Sequence, residues 1–357
     1  MRDILEDSIT RLLGDYVTPH LLQDAERGIW CSALWDEITH NGFPGALVSE
    51  AKGGSGCSWS EVFPLVAAAG KYTLPLPLPE TLLVAWILDQ AGLDIPDGPI
   101  TIADPLVHGP IEATSVDGVW RLSGELGHLP WGNAVTFCVA EVATRDGARI
   151  ALFSPSDADM QNDRNIAGEA RDHLKLAATA ALLIAPLPPS LPPNPLRFYG
   201  AMLRSAQISG AIERLLEHCL LYASERVQFG KPLSKFQAIQ QQIAVLGCES
   251  AACFTAAAYA FQTMGSPQEQ MAIAAAKART SEAAGKAAAI AHAVHGAIGF
   301  TYEHSLQFAT RRLWSWRSEF GSHGWWSQRL GQAICANTSA STLWPAVTEG
   351  TLELLQG

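Results

Sequence analysis

Six prolines fall within the ten residues Pro186-Leu-Pro-Pro-Ser-Leu-Pro-Pro-Asn-Pro195. Proline has no N–H to give a ladder and a fixed φ, so this stretch is a stiff linker that cannot continue a sheet. It separates two regions of different period. Upstream, Asp117-Gly118 and Asp146-Gly147 are turn signals beside Val119-Trp-Arg-Leu122, Val135-Thr-Phe-Cys-Val139 and Arg149-Ile-Ala-Leu-Phe153. These runs predict a small β-domain over 98–190. Downstream, Ile212, Leu215, Leu216, Cys219 and Leu220 form a stripe of helical period. The Ala-rich stretches 251–261 and 272–293 supply small side chains that let helices approach closely. Together they predict a four-helix bundle over 191–357.

Residues 1–97 also read as helical. Ile4, Leu5, Ile9, Leu12 and Leu13 share one face, and Ser60-Glu-Val-Phe-Pro-Leu-Val66 and Glu80-Thr-Leu-Leu-Val-Ala-Trp-Ile-Leu88 follow the same period. The expected fold class is therefore α+β: an N-terminal helical domain, a middle β-domain and a C-terminal bundle. The Gly53–Gly56 stretch lacks the Gly-Lys-Ser/Thr end of a phosphate loop and reads as a turn before a helix.

Composition narrows the partners. A net charge of −11 argues against nucleic acid or an anionic membrane as the main partner. Seven scattered cysteines without a Cys-x-x-Cys pair suit reduced thiols in a cytoplasmic protein. Met1-Arg-Asp-Ile-Leu-Glu-Asp7 is charged from the start, unlike a secretory signal. No apolar run reads as long enough to span a bilayer.

The stretch richest in chemistry is Glu225-Arg-Val-Gln-Phe-Gly-Lys-Pro-Leu-Ser-Lys-Phe-Gln237. An apolar-periodic segment ends at Tyr222, and a fixed cation and a turn follow. The corner presents Arg226, Gln228 and Gln237 together. A guanidinium fork suits a diphosphate, although the same residues also serve an ordinary helix end. Arg-x-Gln-Phe-Gly-Lys-Pro-x-x-x-Phe-Gln resembles the signature of the acyl-CoA dehydrogenase family. Val294-His-Gly-Ala-Ile-Gly-Phe-Thr-Tyr-Glu-His304 resembles that family's His-Gly-Gly-x-Gly-Phe-Thr segment, in the same order and spacing. The N-terminal half matches more loosely, through Gly42-Phe-Pro-Gly45, Glu50-Ala-Lys-Gly-Gly-Ser-Gly56 and Gly124.

The resemblance implies FAD-dependent α,β-dehydrogenation of an acyl-CoA thioester. A carboxylate takes the α proton, and the β hydrogen leaves as hydride to the flavin. It implies that Arg226 contacts the FAD diphosphate of a neighbouring subunit, that Gln228 and Phe229 line the cofactor, and that Gln237 sits near its adenine end. It also implies that Gly296 lets backbone approach the dinucleotide and that Trp131, in Pro130-Trp-Gly-Asn133, walls the flavin ring. The implied partners are an acyl-CoA substrate, with a bulky or ring-containing acyl chain as in lipid or steroid catabolism, and an electron-acceptor flavoprotein. The implied assembly is a homodimer or homotetramer, or a heterotetramer with a related chain.

The sequence also departs from the pattern. Ala293 stands where the family has Gln, and Ala297 replaces the second glycine. Ile102-Ala-Asp-Pro-Leu-Val-His-Gly-Pro110 keeps only the polar-Pro core of the stretch that touches flavin and substrate. The two places for a catalytic carboxylate hold Phe320 and Gly200. Glu319, one residue from the first, is the expected base; on a helix that offset swings a side chain by about 100°. Glu303 is a second candidate. His292, His295 and His304 show no convergent metal set with an acid, so no metal is expected. Arg311, Arg312 and Trp314, Trp316, Trp325 and Trp326 are read as core or interface aromatics, or as a hold for a bulky acyl group. The alternative function is a catalytically degenerate subunit of a heteromeric enzyme, giving part of a FAD site and scaffold to a partner.

Overall fold

The computed structural model describes residues 1–104, 109–336, 344 and 348. Five helices come first: α1 (Arg2–Tyr16), α2 (Pro19–Glu26), α3 (Ser32–His40), α4 (Trp59–Lys71) and α5 (Leu78–Gln90). Eight strands follow: β1 (Ile100–Ile102), β2 (Ile111–Val116), β3 (Val119–Pro130), β4 (Phe137–Thr144), β5 (Gly147–Phe153), β6 (Asp159–Gln161), β7 (Arg171–Ala180) and β8 (Leu183–Pro186). Then come α6 (Pro195–Glu225), the short strands β9 (Val227–Gln228) and β10 (Lys231–Pro232), α7 (Gln237–Gln262), α8 (Glu269–His295), α9 (Leu306–Trp316) and α10 (His323–Ala336). The order is helical, then sheet, then helical bundle, as the sequence predicts. The proline stretch separates the last sheet strand from α6.

The sheet runs β6-β7-β3-β2-β4-β5-β8, with β1 beside β4. β1 and β2 lie parallel to β4, and the other pairs are antiparallel. At Asp117-Gly118, Val116 pairs with Val119, and both turn residues have positive φ (52° and 79°). That is the mirror-image two-residue hairpin that suits twisted strands. One face buries Leu122, Leu126, Leu129, Cys138, Val142 and Phe153.

By contacts the chain groups differently from three consecutive domains. One unit joins Met1–Pro19, Trp59–Leu74 and Ala201–Gly357; the other joins His20–Ser58 and Pro75–Gly200. The helices expected as one N-terminal domain are thus shared between them. In the first unit α4 meets bundle helices. Trp59 and Phe63 pack on Phe261 at 5.7 and 5.3 Å, and Lys71 Nζ bridges Glu213 and Glu217 at 2.7 Å each. A Cβ on Gly70 or Gly210 would collide with the carbonyl of Gln207 or Ala67, so these two glycines let the α4 and α6 backbones touch.

The bundle buries Ile208, Ile212, Leu215, Cys219, Leu246, Cys253 and, on α8, Ala283, Ala284, Ala287 and Ala291. Leu220, assigned to the same stripe from sequence, is exposed, as is Ile4 of α1, because each lies at the edge of its apolar face. Against expectation, α7 is long and apolar enough to cross a membrane by length and composition. Its buried Glu249 is ion-paired with Arg279 of α8 and lies 3.7 Å from Lys286, which is how a bundle helix uses an acid.

Candidate functional site

The Arg226 corner is a hairpin. The Arg226 N–H donates to the Tyr222 carbonyl at 2.9 Å, ending α6, and the Leu233 N–H returns to the Arg226 carbonyl at 2.9 Å. Between them Gln228 pairs with Lys231, with Phe229 and Gly230 at φ 53° and 78°. Phe229 stands at the tip, 92% exposed. The Lys231 ammonium lies 4.3 Å from the Phe236 ring, bracing the turn before α7. Arg226, Gln228 and Gln237 are all exposed. Among the described residues the Arg226 guanidinium has no ion-pair or hydrogen-bond partner, so its five donors face outward.

Gly296 ends α8 with φ 65° and ψ −145°, a conformation open essentially to glycine alone, and nothing lies within 4 Å of where its Cβ would be. The helical turn Gly296–Phe300 follows. The bare backbone and the outward donors fit a dinucleotide approaching from outside the chain: a guanidinium for the diphosphate, amides for polar edges, and an uncovered glycine.

Trp131 belongs to the sheet-containing unit. It has φ 60°, its N–H donates to Ala170 O at 3.1 Å, and the Arg171 guanidinium sits 5.9 Å from its ring. With Trp30, Asn133 and Arg164 it borders a cleft of about 40 Å³. That is far below the few hundred Å³ of a ligand pocket, so the indole offers an open wall rather than an enclosure. In the same unit, Asp104 accepts a three-contact fork from Arg197 at 2.8–3.0 Å. Glu141 accepts the Leu196 N–H at 3.1 Å, and burial pushes its carboxyl up to about 7. The acid left in the Ile102–Pro110 stretch therefore anchors the start of α6. Residues 105–108 lie outside the described residues.

Glu319 sits on a turn between α9 and α10, not on a helix. Its Oε2 accepts from Arg204 Nε at 2.7 Å, and Arg204, on α6, is only 1% exposed. The same guanidinium donates to Gln207 Oε1 and lies 5.5 Å from the Phe320 ring and 6.0 Å from Trp316. Phe320, at the family's first base position, is buried at φ 53°, its carbonyl taking the Trp326 indole N–H at 3.0 Å. Lys277, fully buried in α8, donates to Ser281 Oγ at 2.8 Å and to the carbonyls of Arg317 and Trp316 at 3.0 and 3.3 Å. Burial pulls its ammonium down to about 7, with Glu319 opposing that fall.

Glu303 is exposed on the segment before α9. Arg312 is buried and donates to Phe308 O at 3.1 Å. Trp316 and Trp326 are core, whereas Trp314 is exposed with the Arg317 guanidinium 4.9 Å from its ring. Among the described residues no group of three or more His, Cys, Asp or Glu side chains is arranged to hold a metal ion. Sequence reading missed Arg204 and Lys277. Their signal was a cation inside or at the end of a run of small and apolar residues, where a buried charge needs a partner.

Residues 199–323 match the family model described as "Acyl-CoA dehydrogenase, C-terminal domain". The chain is 28% identical over 329 residues to acyl-CoA dehydrogenase IpdE2 of Mycobacterium tuberculosis (strain ATCC 25618 / H37Rv), covering 87% of this chain and 90% of that protein. Among solved structures it is similar in fold to the ChsE4-ChsE5 complex from Mycobacterium tuberculosis, with TM-score 0.84, 19% identity and coverage of 95% and 98%. It is also similar to the Tcur3481-Tcur3483 steroid ACAD G363A variant, with TM-score 0.82, 22% identity and coverage of 94% and 98%.

Proposed function

We propose that this chain, whose residues 199–323 match the C-terminal domain of acyl-CoA dehydrogenases and which is similar to IpdE2 along most of its length, is one subunit of a heteromeric acyl-CoA dehydrogenase. It gives one edge of an FAD site and scaffold, and a related partner chain brings the catalytic carboxylate. The observation that carries this is the Arg204–Glu319 ion pair: the acid nearest the base position is tied to a buried cation, and the position itself holds a buried Phe320. A base must reach the α carbon with a lone pair available, and a carboxylate held by a guanidinium at 2.7 Å is poorly placed for it.

The chemistry FAD supplies when bound is acceptance of the β hydrogen as hydride. In this reading Arg226 clamps the diphosphate of a cofactor shared with the partner. Gln228 and Phe229 border it, Gln237 meets its adenine end and Gly296 admits its backbone contacts; Trp131, in the sheet-containing unit, is read separately as a wall for a flavin ring. The substrate class is an acyl-CoA thioester. A bulky or ring-containing acyl group is supported by the similar structure titled a steroid ACAD, and electrons pass on to an acceptor flavoprotein.

A second reading keeps Glu319 as this chain's own base, favoured by its place on a turn and its 17% exposed side chain. Purification decides between them. The chain alone should be colourless and turn yellow when co-produced with a related partner, and Glu319→Gln in that complex should change turnover less than about twofold. One flavin per isolated chain, bleached by an acyl-CoA, with turnover lost in Glu319→Gln, reverses the assignment.

A further inference from the structure

Four imidazoles and a phenol gather where α6, the end of α8 and the segment before α9 meet. The Tyr222 ring stacks on His295 at 4.5 Å and 23°. His304 meets His295 at 4.8 Å and His218 at 5.6 Å, tilted and edge-on. His292 stacks on Phe300 at 4.1 Å and 17°. These rings bracket the Gly296–Phe300 turn: His292 and His295 precede it and Phe300 closes it. Tyr222 also accepts the Arg226 N–H through its carbonyl. One residue therefore ties the guanidinium corner to the glycine turn.

We propose that this ring cluster positions the Gly296–Phe300 turn for the dinucleotide, and that it does so only while its imidazoles are uncharged. The cofactor half of this rests on the reading of that turn given above. The hydrogen bonds state the reason. His295 Nδ1 donates to Ala291 O at 2.8 Å, and its buried Nε2 makes no well-formed hydrogen bond, the His218 backbone beside it favouring a proton less than burial opposes one. His292 Nε2 meets Thr310 Oγ1 at 3.0 Å, which leaves its Nδ1 buried with no hydrogen-bond partner, and His218 Nδ1 is alike. His304 Nδ1 accepts the Leu306 N–H at 3.1 Å at the start of α9 and cannot carry a proton there. A proton added to His292 or His218 creates a buried N–H without an acceptor, and one added to His304 breaks that cap.

The surrounding charges do not help. On α6, Arg214 opposes a charge on His218 and Glu217 favours it, but these two pair with each other at 3.1 Å and Glu217 is further held by Lys71. The exposed Glu303 precedes His304, and α9 offers His292 the neutral Thr310. Burial lowers all four imidazoles, His218 to about 4. Folded values below the unfolded one near 6.5 mean that the cluster's support is complete above about pH 6.5 and is lost as pH falls toward 4.

The test uses the flavin-loaded complex between pH 7.5 and 5, following flavin release by fluorescence and hydrogen exchange of the 292–306 peptide. Release should be at least tenfold faster at pH 5, with loss of protection in 292–306 and not in α7. His295→Phe and His218→Phe keep a ring that cannot charge, and either should move the acid loss down by half a pH unit or more. An unchanged acid profile in both variants, or constant protection of 292–306, overturns the proposal. If the protein holds no flavin at any pH, the cofactor reading fails, and the exchange profile alone still decides the ring cluster. Should His295→Phe fail to fold, His218→Phe carries the same comparison.

Discussion

Arg204 and Arg226 belong to one stretch of chain, the first inside α6 and the second just past its end, roughly 33 Å apart at helical rise. Arg204 is buried and spends its donors on Glu319 and Gln207. Arg226 is exposed and, among the described residues, spends its side-chain donors on nothing. A buried guanidinium fixes the fold around it, because removing one member of a desolvated pair leaves the other uncompensated. An exposed one at a rigid corner costs the fold little and is there to be met from outside. On the reading proposed above, the contrast teaches that the chain has closed its chemistry beside Phe320 and kept it open at the Arg226 corner.

The largest break of this comparison is Arg204→Ala. It should cost about 3–5 kcal/mol in urea unfolding, because Glu319 is stranded beside Phe320. The double change Arg204→Leu with Glu319→Leu should recover most of that loss. Equal losses for single and double variants would show the pair to be incidental. Next, Arg226→Ala should leave the melting curve in place yet weaken flavin retention of the complex roughly 10–100-fold, and Arg226→Lys should recover only part of it, since an ammonium lacks the planar fork. A destabilised fold with unchanged flavin content would erase the distinction between the two arginines. The smallest effect sharpens the closed side. Lys277 has its folded value pulled from 10.5 down to about 7, so the unfolded chain binds more protons above pH 7 and stability should rise with pH there. The slope is about 1 kcal/mol between pH 7 and 8. Lys277→Met should flatten it in paired denaturant melts.

Local chemistry made much of the fold legible in the sequence. Asp117-Gly118 specified its hairpin because few other pairs accept two positive φ angles. The prolines from 188 to 195 marked the end of the sheet because they have no N–H to give a ladder; Pro186 closes β8 opposite Arg149. The Arg226 corner was legible for the same reason: hairpin, cation and amides lie within a dozen residues. The state of Glu319 was not. Its partner lies 115 positions earlier, on another helix, and no local pattern announces a pairing across that distance. The grouping of α1 and α4 with the bundle was hidden likewise, since it depends on Gly70 and Gly210 meeting facing carbonyls, which appears only when two helices cross. Tyr222 and His218 gave no signal of their own, because their rings matter through neighbours 70 to 90 residues away.

The tip of the β9–β10 hairpin has a consequence for the cell. Phe229 stands out on a two-residue turn, its ring meeting Phe236 edge-on at 6.3 Å and otherwise facing solvent. On the reading proposed above, a copy made without its partner chain carries that exposed aromatic into a crowded interior, where chaperones and proteases sort such surfaces. Balanced output of the two chains would then keep the ring covered, and the chain produced alone, soluble enough to purify, should be cleared faster in the cell than the complex.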